Sequence, residues 1–307
     1  MPAELVLGSV QLGLAYGAAN RTGKPSHVQA LTLVRRALAA GVSSIDTARA
    51  YGDSEERLGE ALEGRRPVRT VTKLSPLADV PDDAARARVR AAVDDSVTQS
   101  LAALKRDRLD CLLLHRAAHM TSHCGAVWER LIELLEEGTV LMLGVSVQTP
   151  DEAHAALDNP DVRHIQMPFN LLDWRWRAAG VIDHIAARAH VTVHARSVFL
   201  QGLLASPPEL WPRLPGVDAA ALTERVAELA REFARENAAD LCIAFARGQS
   251  FIDGVVVGME TTNQLDENLK LFLRPPLSPE DCRLIETRIP RVPEMLLNPA
   301  LWPKRDS

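Results

Sequence analysis

The feature that most constrains this chain is an eightfold alternation of two hydrophobic rhythms. Short, strand-like apolar runs cover residues 5–10, 43–46, 68–73, 109–115, 140–145, 164–167, 191–195 and 254–257. After them, apolar residues recur at helical spacing over 26–40, 54–62, 82–104, 126–137, 150–157, 178–189, 219–237 and 263–271. Ser26 and Asp53 stand where helix N-caps belong, and Gly41, Gly64 and Gly138 stand where helices should stop. Runs such as CLLLH and VVV are apolar at successive positions, as parallel strands covered on both faces should be. Strand–helix units repeated in this way predict a (β/α)8 TIM barrel, a single domain over 1–307. Extra helical stretches are expected near the C-terminus, at 240–247 before the last strand and as a helix and tail over 278–307 packed on the barrel. The alternative is a doubly wound open sheet, which would want a glycine-rich phosphate loop after its first strand. The chain reads GSVQLGLAYG there, without GxGxxG and without a helix directly following.

Composition narrows the functional classes. With 35 Lys+Arg against 40 Asp+Glu the net charge is -5, and no basic block suggests nucleic-acid or anionic-membrane binding. A hydrophobic fraction of 47% can fill a large core, but no run approaches the ~18 apolar residues of a membrane span. The opening MPAELVLGSVQLG has no basic leader and interrupts its short apolar stretch with glycine, unlike a signal peptide. Cys111, Cys124, Cys242 and Cys282 form no CxxC and need no disulfide. A cytoplasmic protein, a monomer or small homo-oligomer acting on a small molecule, is expected.

Barrel chemistry sits at the carboxyl ends of the strands. The second strand ends at Asp46 and runs through ThrAlaArgAla into Tyr51; the third ends in Lys73 and the fourth in His115. Each residue has an ordinary reading: a turn aspartate, a solvated lysine, a core histidine. Their convergence on three consecutive strand ends makes proton chemistry the better reading. Tyrosine, with a reference pKa of about 10, is a poor acid at neutral pH until a nearby cation favours its ionised form. Lysine can supply that cation, aspartate can keep it charged, and a neutral histidine can hydrogen-bond a carbonyl oxygen. Such a set would polarise a carbonyl and protonate its oxygen as hydride reaches carbon. No side chain supplies hydride, so a nicotinamide cofactor follows.

The segments QLGLAYG, IDTARAYGDSEERLGEAL, VTKL, SLAALKRDRLDCLLLHR, GVSV, QMPFNLLD, ARSVFLQGLL and VVVGMETTNQLDENL, in this order, resemble the aldo-keto reductases along nearly the whole chain. The likeness is to bacterial members that act on sugars, sugar derivatives or small aldehydes. It implies the catalytic tetrad Asp46, Tyr51, Lys73 and His115, with Tyr51 as general acid in reduction and base in oxidation. It also implies that Ser146 and Gln166 hold the nicotinamide carboxamide. The asparagine usual after that serine is Val147 here. Arg196 stands where many members stack an aromatic ring on the nicotinamide. Ser197, Phe199, Gln201 and Gly202 match the pyrophosphate loop, and Gly258, Met259, Gln264, Glu267 and Asn268 match the adenosine end. Gly258 and Gln264 replace a lysine and an arginine that many members use for the 2′-phosphate. NADP(H) is the expected cofactor, with NAD(H) as the second option and weak discrimination between them. Lys270, on the same predicted helix, lies about 120° round from Gln264, poorly aimed to compensate.

A short loop follows His115, so the pocket should admit a sugar-sized molecule, with Arg116, His119, Trp174 and Trp176 as candidate lining. Two other readings stay open. His115, His119 and His123 beside Cys124 could bind metal in a barrel hydrolase, although Thr121, Ser122 and Gly125 are loop formers and no metal is expected. The chain could also be a non-catalytic, cofactor-binding or regulatory barrel.

Overall fold

In a computed structural model that describes residues 3–65 and 68–303, eight parallel strands close into a barrel in sequence order. They are β1 (Glu4–Gly8), β2 (Ser44–Asp46), β3 (Arg69–Lys73), β4 (Cys111–Leu114), β5 (Leu143–Ser146), β6 (His164–Pro168), β7 (Thr192–Arg196) and β8 (Gly254–Gly258). β1 pairs with β2 on one side and β8 on the other, so the sheet closes on itself and the open-sheet alternative falls. Of the residues assigned to the barrel over 1–307 and the tail over 278–307, 1–2, 66–67 and 304–307 lie outside the described residues.

Strand periodicity sorts side chains into two sets. Leu5, Leu7, Ile45, Leu112, Leu114, Val145, Ile165, Val193, Val255 and Val257 join the helices in one large apolar core. Val71, Cys111 and Leu113 form a separate cluster inside the barrel. Asp46, Lys73 and His115 continue this inward set at the carboxyl ends of β2, β3 and β4. Burial on both faces is why β4 can be apolar throughout.

Helix starts follow local chemistry. Ser26 caps His27–Ala39 in a reciprocal box with Gln29, and Thr149 with Glu152 and Thr261 with Gln264 do the same for Pro150–Asp158 and Thr262–Leu273. Asp53 precedes Ser54–Leu62 but makes no capping hydrogen bond, because its carboxylate is taken by Lys24 and Arg57. His27–Ala39 and Ala126–Glu136 stop in turns through Gly41 and Gly138, as expected.

Several boundaries differ from the periodicity. β1 ends at Gly8, and a single helical turn, Val10–Gly13, follows directly. The helix expected from 82 begins at Arg86, after a turn closed by Ala84 N–H on Pro81 O. That expected over 178–189 is split into Arg175–Ala178 and Val181–Ala187 by Gly180. That expected over 219–237 ends at Glu232, so Asn237 is free to cap Ala238–Arg247. The tail helix Pro279–Arg288 packs on Ala238–Arg247, with Cys282 Sγ 3.7 Å from Phe245 O. No helix among the described residues is long and apolar enough to cross a membrane.

Candidate active site

The carboxyl ends of the strands open into a cleft of about 1480 Å³. At its floor Lys73 Nζ donates to Asp46 Oδ1 at 2.6 Å and to Thr47 O at 2.9 Å. Lys73 is 1% exposed. Burial pushes its ammonium toward deprotonation, but Asp46 and then Tyr51 outweigh this and hold its pKa above the ordinary value. Lys73 Nζ lies 5.0 Å from the centre of the Tyr51 ring, and the His115 ring meets that ring edge-on at 5.8 Å. Burial first, then the charges of Lys73, Arg196, His119 and Arg116, pull the His115 imidazole down to about 3. It is therefore neutral near neutral pH.

The turn carrying Tyr51 is fixed by contacts distant in sequence. A Cβ on Gly13 would lie 1.8 Å from Tyr51 O, and one on Gly52 would lie 2.5 Å from Gly13 O. The two glycines let the loops after β1 and β2 meet backbone to backbone. Ser54 Oγ then donates to Ser9 O at 2.9 Å. Beneath the turn, the buried Glu55 carboxylate accepts from Arg49 at 2.6 Å, Thr72 Oγ1 at 2.6 Å and Ser100 Oγ at 3.2 Å. Glu55 was missed as a structural hub, since in sequence it reads as a first-turn helix glutamate.

Gln166 Nε2 donates to Asp46 Oδ1 at 2.6 Å, which leaves Gln166 Oε1 buried without a partner. Ser146 lines the same wall. A free amide acceptor beside a hydroxyl fits a carboxamide, so these residues suit a nicotinamide. Arg196 donates to Val147 O at 3.1 Å and Gln148 Oε1 at 2.9 Å. Ser197, Leu200 and Gln201 all adopt positive φ without being glycine, the kind of backbone strain that gathers at binding loops. Ala19 N–H to Gln201 O, 3.3 Å, and Gln201 Nε2 to Tyr16 Oη, 3.3 Å, tie this loop to the one after β1.

Phe199, Gln201, Gly202, Gly258, Gln264, Glu267 and Asn268 all line the cleft, whereas Met259 is fully buried behind its wall. A Cβ on Gly258 would lie 2.1 Å from Gln11 Oε1, so the space of a side chain at 258 is filled by Gln11. Gln11 and Tyr16, both cleft residues, lie in the QLGLAYG segment but were given no site role from sequence. Gln264 spends its amide oxygen on the N–H groups of Glu260 and Thr261. Lys270 also lines the cleft.

Arg116 and His119 line the cleft, but the structure does not bring the two tryptophans there. Trp174 donates to Val292 O at 3.1 Å and lines a separate cavity of about 290 Å³ with Arg291. Trp176 is wholly inside the apolar core. The segment after His115 forms two short 3-10 turns, with His123 and Cys124 at φ 50° and 54°, so its histidines do not share one helix face. Among the described residues no group of three or more His, Cys, Asp or Glu side chains is placed to hold a metal ion.

A closed barrel with these groups at its carboxyl rim is an oxidoreductase of the carbonyl-reducing, nicotinamide-using class. The model of the Aldo/keto reductase family matches residues 4–289, and the chain belongs to that family. It is 25% identical to the uncharacterized oxidoreductase YqkF of Bacillus subtilis over 277 residues, 84% of this chain and 87% of that one. It is 33% identical to the methylglyoxal reductase DkgA of Escherichia coli over 139 residues, 44% of either chain. In fold it is similar to aldo-keto reductase AKR11C1 from Bacillus halodurans in its holo form, with a TM-score of 0.73, 22% identity, and 95% and 93% of the two chains covered.

Proposed function

We propose that this protein reduces a small aldehyde or ketone, sugars and their derivatives included, with NADP(H) or NAD(H), and that Tyr51 is the general acid. One observation carries the reading: the Lys73–Asp46 ion pair is buried beneath Tyr51 in the cleft that neutral His115 also lines. Taking two charges out of water costs several kcal/mol each, and such pairs rarely repay this in stability, so the pair is better explained by chemistry.

The bound cofactor would supply hydride to the carbonyl carbon. Gln166 Oε1 and Ser146 Oγ would hold its carboxamide, and the loop carrying Ser197, Gln201 and Gly202 would hold its pyrophosphate. His115, neutral, donates a hydrogen bond to the carbonyl oxygen and withdraws charge from carbon. Tyr51 then gives its phenolic proton to that oxygen, and the Lys73 ammonium stabilises the phenolate left behind. Asp46 keeps Lys73 charged and aimed. In the oxidative direction Tyr51 takes the proton back.

The related methylglyoxal reductase, and a 6-dehydroglucose reductase of Novosphingobium aromaticivorans 36% identical over 138 residues, support small carbonyl substrates. The test is loss of reduced-nicotinamide absorbance with a panel of aldehydes and open-chain sugars. Turnover with at least one is expected. Tight cofactor binding with no turnover on any would favour the non-catalytic barrel.

A further inference from the structure

The cleft wall that follows β4 is more polar than carbonyl reduction alone requires. His115 Nδ1, His119 Nδ1, Ser122 Oγ and His123 Nδ1 are shielded from solvent yet have no hydrogen-bond partner, and all four residues line the cleft. His119 is only 6% exposed. Leaving a buried polar group unpaired costs about 1–3 kcal/mol, so a run of them beside the cleft marks a wall with polar capacity for bound water or a ligand.

Two arginines line the cleft at or opposite that wall, and neither has a carboxylate partner among the described residues. Arg116, an exposed residue at the cleft mouth beside His115, makes no ion pair among the described residues. Arg196, across the barrel on β7, donates only to neutral acceptors: Val147 O, Gln148 Oε1 and Ser197 Oγ. The nearby carboxylates are committed. Asp46 holds Lys73, Glu152 accepts from the Gln148 and Thr149 N–H groups, and Glu236 pairs with Arg274. Glu260 and Glu267 belong to the β8 side, and Asp82 is an exposed residue of the loop after β3. The charged neighbours that, after burial, depress His115 are likewise basic.

We propose that the substrate is a carbonyl compound bearing an oxyanion, a carboxylate or a phosphate, which Arg116 binds together with His119 and Ser122 while the carbonyl lies between Tyr51 and His115. This rests on the carbonyl-reductase reading above and names its substrate class. A guanidinium offers paired N–H donors to two oxyanion oxygens, and a neutral imidazole and a hydroxyl each add one more. Neutral sugars would satisfy the hydroxyl and imidazoles but would make no use of the charge on Arg116, which water alone then solvates.

The experiment compares matched aldehydes at low ionic strength with one cofactor: D-glyceraldehyde 3-phosphate against D-glyceraldehyde, and D-glucuronate against D-glucose. At least one anionic member should exceed its neutral counterpart by about tenfold or more in kcat/KM, as one charge-assisted contact allows. The pair that shows the preference identifies phosphate or carboxylate. The ratio should shrink with added salt and fall toward one in Arg116→Gln, with Arg116→Lys intermediate. In parallel, 3-phosphoglycerate or D-glucarate should inhibit competitively, and more weakly in Arg116→Gln. Equal or poorer turnover of both anionic members, or a preference that survives Arg116→Gln, overturns the proposal. No turnover with any of the four aldehydes overturns carbonyl reduction itself, and the proposal with it.

Discussion

Gly144 and Gly254 sit inside the barrel because two histidines occupy the space their side chains would take. A Cβ on Gly144 would lie 2.2 Å from His164 O, and one on Gly254 would lie 2.8 Å from the His194 ring. The His164 and His194 rings meet edge-on at 4.3 Å below the tetrad, with Cys111 Sγ 3.6 Å from His164 Nδ1. Gly144→Ala should therefore cost about 1–3 kcal/mol by overpacking, measured as a shift in the denaturant midpoint. Wild-type stability in that variant would show that β5 and β6 can part freely. Burial pulls His194 down to about 3 and His164 well below its ordinary value, so the folded state keeps both rings neutral while the unfolded chain protonates them below about 6.5. The stability that depends on these neutral rings is fully present above that value and is lost as pH falls toward 3. The loss approaches about 1.4 kcal/mol per pH unit for each ring. The pH dependence of the unfolding free energy between neutrality and pH 4 checks this, and a flat profile would contradict it. Sequence patterning could not show these packing pairs, because His164 lies on a different strand from Gly144 and the GVSV segment that holds Gly144 does not name the neighbour it packs against. The tetrad was legible because its residues share strand ends with a chemical logic. Trp174 and Trp176 were not, since an aromatic after a strand packs equally well into a core.

At the scale of elements, the helices after β5 and β8 both begin in capping boxes whose loops line the cleft. The Thr-x-x-Glu and Thr-x-x-Gln patterns were in the sequence, but their meaning for the site was not. Glu152 and Gln264 brace the loops through backbone N–H groups and are not free to read a ligand with the atoms so used. The existence and order of the helices were legible from periodicity, and their boundaries failed where a single turn decided them, as at Gly180 and Pro81. For the cofactor, Gln264 is neutral, the side-chain space at Gly258 is filled by Gln11, and Glu260 places a half-buried carboxylate at the same end. Burial pushes that carboxyl up. Against these, Lys270 on the same helix is a cation that also lines the cleft. Discrimination between NADPH and NADH should stay below about a hundredfold in kcat/KM, and Gln264→Arg should raise the NADPH share, with some loss of the helix cap. A preference above about a thousandfold, unchanged in the variant, would show that another cation reads the phosphate.

The whole molecule places the reaction by closing the sheet. Parallel strands put the carboxyl ends of β2 to β7 on one edge, and closing the sheet brings β6 across to β2, so that the Gln166 amide reaches Asp46 from far along the chain. Eight repeats of one rhythm, with no glycine-rich phosphate loop after the first strand, made that closure the better reading from sequence. The identity of the substrate was not legible, since no motif encodes which polar side chains the loop after β4 brings to the cleft. The central claim, that Tyr51 gives the proton, is tested most directly by Tyr51→Phe. This change removes one hydroxyl and leaves Lys73, Asp46 and His115 in place. Turnover measured with cofactor saturation confirmed by fluorescence titration should fall by about 10²–10⁴-fold while cofactor affinity is kept. A Tyr51→Phe enzyme that binds cofactor and turns over at the wild-type rate would contradict the account.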